Sequence, residues 1–425
     1  MAVDKPDTTR VWASAAPPTD IEDPDISSPG KVEDGYRDEI PVYQHHNWIF
    51  NEASKSAKYL NEQGIGIWDA ITTFPVGSIV KGSDLNLYQA IVEQSNNDPV
   101  GDKVNWRPFV TSTTAGGRKN LLDNGEFRIW QEGTSFVADA NAEYTADRFV
   151  AYCIGSTAQI DRASNSQFPT YQGQIQYGLR FRPSAGATEG GVIQRIEHSN
   201  TYHLQNKSIT LSFILNSNEN TVIGVDLTTP DVTDDWSSFT SIDRQLSIPV
   251  SIGDNKIEVT FNSLDSSVVR GLSVTIGFTT FTAGSFDASI ALTQLEVGTV
   301  ATDFEYVNIF EDSARCQRYF YSSYDPGVTP GTPYANRSPL FYPQSASTDL
   351  FGTHTFSQGM RVRPSITIFR PSTGTIGEVE RENETFPLQV ASLEFSVFGL
   401  FGIILTSAPA VDIFYQFHLT ADARL

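Results

Sequence analysis

The chain has 425 residues, with 29 Lys and Arg against 50 Asp and Glu, a formal charge of −21. Such an acidic surface keeps a protein soluble but repels phosphate backbones, which excludes a nucleic-acid partner. It also repels an anionic cell envelope unless divalent ions or neutral sugars mediate the contact. Hydrophobic residues make up 39% and aromatics 12%, enough core material for roughly two to four domains.

Residues 1–42 hold six prolines and few apolar side chains, so this segment reads as extended and ordered only against a partner, with Val11 and Trp12 as its anchor. The next stretch predicts a helix over 43–62. Tyr43, His46, Phe50, Ala53, Ala57 and Leu60 recur at spacings of three and four, a seam suited to self-association about an axis. Pro41 and Gly64 punctuate its ends. Residues 67–110 follow as a small β-module with strands near 79–80, 85–90 and 104–106. Residues 111–119, including TSTTAGG, read as a linker.

Strand signals then recur at 174–181, 191–197, 208–215, 256–261, 272–279 and 288–295, which predicts a jelly-roll β-sandwich over 120–308. In 208–215 the alternation is broken by Ile214, so both faces of that strand are expected to be covered. A further β-domain, expected as a sandwich, occupies 309–425, with strands near 319–321, 365–369, 391–398 and 412–419. The fold class is mainly β, and no fixed-period repeat is visible.

Cys153 and Cys316 have no CxxC spacing and read as reduced, buried thiols, as in a chain made in a cytoplasm. MAVDKPDTTR is not a basic region followed by an apolar run, so no export signal is expected. The apolar run 398–405 is too short to cross a bilayer, and no membrane insertion is expected.

Three segments, in this order, resemble parts of bacteriophage tail-fibre and tail-appendage proteins. The first is KPDTTRVWA at 5–13 with NEQGIGIW at 61–68, similar to the part by which such fibres join the virion. The second runs from NLLDNGEFRIWQEG and YTADR to QLEVGTVATDFE at 294–305, similar to a jelly-roll carbohydrate-binding module. The third pairs GMRVRP at 359–364 with LTADARL at 419–425. The resemblance implies a structural virion subunit, made in the host cytoplasm and assembled as a homotrimer. It would dock through residues 1–66 to other tail, baseplate or collar proteins, and would recognise a host surface polysaccharide or carry another receptor-binding protein.

Trp68, Tyr88 and Trp106 also match, in order, the aromatics of small chitin-binding modules. That resemblance makes them candidates for stacking on sugar faces, against the alternative that so small a module needs them for its own core. The jelly-roll resemblance implies a structural Ca²⁺, for which Glu126 and Glu296 are the candidate ligands; no other cofactor is implied.

The chemistry-bearing residues suggest binding without catalysis. Of six histidines, His45 and His46 diverge on the helix, and His198 and His203 flank a turn beside Glu197. Asp234 and Asp235 beside Trp236 join carboxylates to a sugar-stacking ring, but strand neighbours face opposite ways, which favours a solvated loop. Asp147 and Arg148 read as an internal ion pair. No GxSxG, HExxH or phosphate-loop pattern occurs. Two rivals remain open: a soluble carbohydrate-binding protein, and a capsule depolymerase.

Overall fold

The computed structural model describes residues 43–63, 65–83, 86–93, 97–100, 102, 104–109, 118–334, 338–343, 348–382, 386–407, 409 and 413–425. Val11 and Trp12 lie outside these, as do the side chains of Tyr43, His46, Ala57 and Leu60. The chain divides into two compact units, Met1–Ala115 and Gly116–Leu425, and the division falls inside the expected linker.

In the first unit, helix α1 (Tyr43–Gln63) matches the predicted span. Of the described seam residues, Phe50 and Ala53 are both exposed. Strands β1 (Ile79–Lys81), β2 (Leu87–Ala90) and β3 (Trp106–Pro108) form an antiparallel sheet in chain order. Its core is Val80, Tyr88, Ala90 and Trp106, with Trp68 and Phe74 packed on it. So few apolar residues leave no aromatic to spare: Phe74 meets the Trp106 ring edge-on at 5.7 Å, and Trp106 Nε1 donates to the Asn97 carbonyl.

The second unit begins with β4 (Ser135–Ala138), β5 (Glu143–Tyr144), β6 (Phe149–Ile154), β7 (Ala158–Ser164), β8 (Tyr177–Pro183) and β9 (Glu189–Ile196). After the short helix α2 (His198–Thr201) come β10 (Ile209–Ser217), β11 (Thr221–Val232), β12 (Asp235–Val250), β13 (Gly253–Phe261), β14 (Leu272–Thr280) and β15 (Ala288–Val297). They make two six-stranded sheets, ordered β13-β10-β15-β8-β7-β4 and β12-β11-β14-β9-β6-β5. Ile209, Leu211, Phe213 and Leu215 of β10 enter the core between the sheets, whereas Ile214 joins a separate apolar cluster with Ala163, Phe168, Ile175, Ala291 and Leu292. The break in alternation thus marks a strand covered on both faces. The β11–β12 hairpin escaped the sequence reading because β12 is exposed along most of both faces and carries no apolar alternation.

Helix α3 (Ile309–Gln317) was also not anticipated, although its signals are present. The Asn308 side chain accepts from Phe310 N, and Glu311 and Asp312 fill the first turn. Then follow β16 (Phe320–Ser322), β17 (Leu340–Pro343), β18 (Asp349–Thr355), β19 (Ser365–Phe369), β20 (Glu378–Arg381), β21 (Pro387–Ser396), β22 (Gly399–Leu405), β23 (Tyr415–Gln416) and β24 (His418–Asp422). Where a second sandwich was expected, six strands close as a barrel in the order β17-β18-β22-β21-β20-β23, beside a three-stranded sheet β16-β24-β19. Closure comes from the short β23, which pairs with β17 on one side and β20 on the other.

The sandwich and the C-terminal β-region share one polar joint. Asp312 of α3 is buried and accepts from Asn124 N at 3.0 Å and from Arg118 at 3.3 Å. Asp147 and Arg148 do not pair with each other as expected. Arg148 adopts a left-handed backbone (φ 73°), and its guanidinium meets Asp123 at 3.2 Å and stacks 3.4 Å from the Tyr319 ring. Asp147 instead accepts from the backbone and side-chain amides of Gln131. Arg424 binds Glu132 and Asp422, Tyr144 Oη donates to the Leu425 carbonyl, and Arg361 donates to the Ala423 carbonyl. The YTADR, GMRVRP and LTADARL segments therefore converge here. Both cysteines are free and buried, in line with the expectation of buried thiols. Burial pushes the Cys316 thiol well up.

Candidate functional site

The outward face of the β10–β15 pair carries a concavity. Opposite Ser212–Ile214 the ladder slips at a bulge in β15, where Leu292 takes a positive φ of 48°. A bulge sets two successive residues on one face, and Ala291 and Leu292 both join the outer apolar cluster with Ile214. This floor is roofed at one end by the loop after β7. Phe168 is fully buried there because Gly178 leaves it room; a Cβ on Gly178 would lie 2.8 Å from the ring and 2.6 Å from the Ile290 carbonyl. Phe168 anchors the loop that presents Tyr171 and Gln174.

The opposite wall is the segment 302–306 after β15. Thr302 donates from its amide and its hydroxyl to the Glu296 carboxylate, at 2.8 and 2.7 Å. Glu305 N donates to the Gln294 side chain, and the Glu305 carboxylate accepts from Lys119 N and Asn120 N. The backbone of this wall is thereby pinned at Thr302 and Glu305, which displays Asp303, Phe304 and Tyr306. Phe304 and Tyr306 meet edge to face at 5.1 Å, and Tyr306 Oη donates across the groove to the Gln174 carbonyl at 3.1 Å. Burial raises the Tyr306 phenol above its ordinary range, so it remains a protonated donor.

The resulting groove has a volume of about 440 Å³, within the range of small-molecule sites. Ser212, Phe213, Ile214, Leu292, Thr302 and Lys256 complete its lining. Lys256 is paired with Glu258 at 3.0 Å. By contrast, the Gln174 amide and the Asp303 carboxylate meet no partner among the described residues. Aromatic walls with a few unspent hydrogen-bonding groups suit a ligand with apolar C–H faces and hydroxyl edges.

None of the sequence-based site candidates lines this groove. Tyr88 and Trp106 are buried core residues, which leaves no ring face free on either for a sugar, and Trp68 packs on them partly buried. Trp236 is half-buried, with the Arg195 guanidinium 5.3 Å from its ring centre. Asp234 sits in the turn before β12 (φ 57°), where His198 contacts it through its backbone amide and Nδ1. Glu126 pairs with Arg128 at 2.7 Å, and Glu296 is buried and hydrogen-bonded to Gln294 and Thr302. Among the described residues no three His, Cys, Asp or Glu converge as a metal site requires. Glu197 binds Arg318 instead. The groove residues eluded sequence reading because Tyr171, Phe304 and Tyr306 lie on loops without periodicity; the outward Ile214 was their one sequence signal.

No family model matches the sequence, and no curated protein matches it. Solved structures do. One is an enzymatically active domain of tailspike protein 4 from bacteriophage CBA120, at 10% identity and a TM-score of 0.28, covering 42% of this chain and 21% of that one. A second is a family 61 carbohydrate-binding module in complex with β-1,4-galactotriose, at 12% identity and a TM-score of 0.27, covering 43% of this chain and all of that one. A third is a xylan-binding domain from Paenibacillus barcinonensis, at 11% identity and a TM-score of 0.25, covering 40% and 99%.

Proposed function

We propose that this chain is a carbohydrate-binding structural subunit of a phage tail appendage that holds its glycan without turning it over. The observation that carries the binding half is the groove walled by Tyr171, Phe304 and Tyr306 with the Gln174 amide and Asp303 carboxylate unspent. Hydrolysis by paired carboxylates needs two of them across a cleft, and Asp303 is the one carboxylate among the lining residues.

The appendage half rests on the tail-fibre-like segments in order. Residues 1–66 would dock to other tail components, and the α1 seam would join three chains. Three linked copies raise the avidity of a weak sugar contact wherever geometry lets them engage together. Host recognition would then be a multivalent hold on a surface polysaccharide.

Affinity electrophoresis against a panel of soluble polysaccharides tests the binding half. The wild type should be retarded by at least one of them, and Tyr171→Ala with Tyr306→Ala should weaken that retardation about tenfold or more. Retardation unchanged in the double variant would refute the groove as the site. Mass measurement of the full chain tests the assembly half: three chains are expected, and a monomer at micromolar concentration would remove it. A rise in reducing ends on incubation with the bound polysaccharide would favour the depolymerase instead.

A further inference from the structure

We infer that Asp303 sets the charge class of the ligand: the groove accepts glycans of uncharged sugars and discriminates against those bearing carboxylate or sulfate groups. This rests on the groove being the glycan site. The other charged side chains around it are each held by an ionic or hydrogen-bonding partner. Lys256 is paired with Glu258. Lys119 Nζ bonds the Thr302 hydroxyl, which in turn donates to Glu296. Glu305 faces Arg118 at 4.0 Å. At the far side, Asp254 accepts from Thr170 N and Asn216 Nδ2, both at 2.7 Å, and adds a further negative charge below the Tyr171 loop.

Asp303 differs from all of these. It is exposed, lines the groove, and its carboxylate meets no cation among the described residues, while its backbone carbonyl is held by Lys119 Nζ. A carboxylate so fixed accepts hydrogen bonds from sugar hydroxyls and repels a second anion. Rejection by an uncompensated like charge is a common device of specificity. One such charge at five or six ångströms, partly screened, is worth roughly three- to tenfold in affinity. The discrimination also suits a chain of net charge −21, which by itself repels anionic sugars.

The test compares one neutral glucan that retards the full-length protein with the same glucan oxidised at C6 to the carboxylate. The wild type should bind the oxidised form at least threefold more weakly. Asp303→Asn, whatever it costs the neutral form, should close most of the gap between the two forms, as should raised ionic strength. Equal or tighter binding of the oxidised glucan by the wild type would overturn the inference while leaving the groove reading intact, as would a gap that survives Asp303→Asn. Retardation by no polysaccharide of either kind would overturn both.

Discussion

The joint between the sandwich and the C-terminal β-region and the groove on the outer face of β10 are built from similar residues, yet they differ in what is left over. At the joint, each charge has been matched: Arg148 has Asp123 and Tyr319, Asp312 has Arg118 and Asn124 N, and Arg424 has Glu132 and Asp422. At the groove, the wall is pinned from behind by Glu296 and Gln294, while its front keeps an amide, a carboxylate and aromatic surface unmatched. Conspicuous motifs therefore mark the part that holds the molecule together, and the inconspicuous loops carry the surface free to bind something else.

The sharpest way to break this comparison is Arg148→Ala. It removes the guanidinium hydrogen-bonded to buried Asp123, which keeps Arg118 and Arg315 at 3.5 Å, and it removes the stack on Tyr319, so unfolding in urea should show a loss of about 2–3 kcal/mol. A loss below about 1 kcal/mol would mean that the joint is not the structural region described.

Gly178→Ala comes next. The added methyl meets both the Phe168 ring and the Ile290 carbonyl, and overpacking of this kind costs about 1–3 kcal/mol. Because Phe168 anchors the Tyr171 loop, glycan retardation should fall as well. Intact binding would separate the loop from the groove.

Glu296→Ala takes the acceptor from the Thr302 amide and hydroxyl, two part-buried hydrogen bonds to a charged group, at a cost of about 1–2 kcal/mol. Glycan affinity should drop several-fold as the wall loosens. Addition of Ca²⁺ should not change the stability of the wild type, whereas a calcium-dependent rise in melting temperature would restore the ligand role first expected for Glu296.

The smallest effect concerns His418 in the barrel region. Its imidazole is fully buried between the Ser323 hydroxyl and the Tyr334 carbonyl, and burial holds it below the ordinary histidine range. A base depressed on folding contributes stability above its unfolded pKa of 6.5 and loses it as pH falls through the folded value. Urea midpoints should thus fall between pH 7.5 and pH 5 by more in the wild type than in His418→Gln. Equal slopes would refute that contribution.

Much of the fold could be read from residue order, because buried strands announce themselves by alternation and its breaks. β10 shows this best: four side chains enter one core, and Ile214 points to a second cover. The reading ran out where physics leaves no periodic trace. β12 is exposed on both faces, α3 is only nine residues long, and the barrel closes through a two-residue strand. For the site, residue type misled. Trp68, Tyr88 and Trp106 have the chemistry of sugar platforms, but a three-stranded module has little besides these rings and Phe74 with which to build a core. Glu296 has the chemistry of a metal ligand but serves as an acceptor for its own chain.

Hydrogen–deuterium exchange on the full chain, with and without a neutral oligosaccharide that binds, addresses the central claim most directly. Slowed exchange confined to the segments around 168–175 and 302–306 is the result expected of a glycan seated in the groove. Protection instead at residues 67–109, or an oligosaccharide found cut at the end of the experiment, would contradict it.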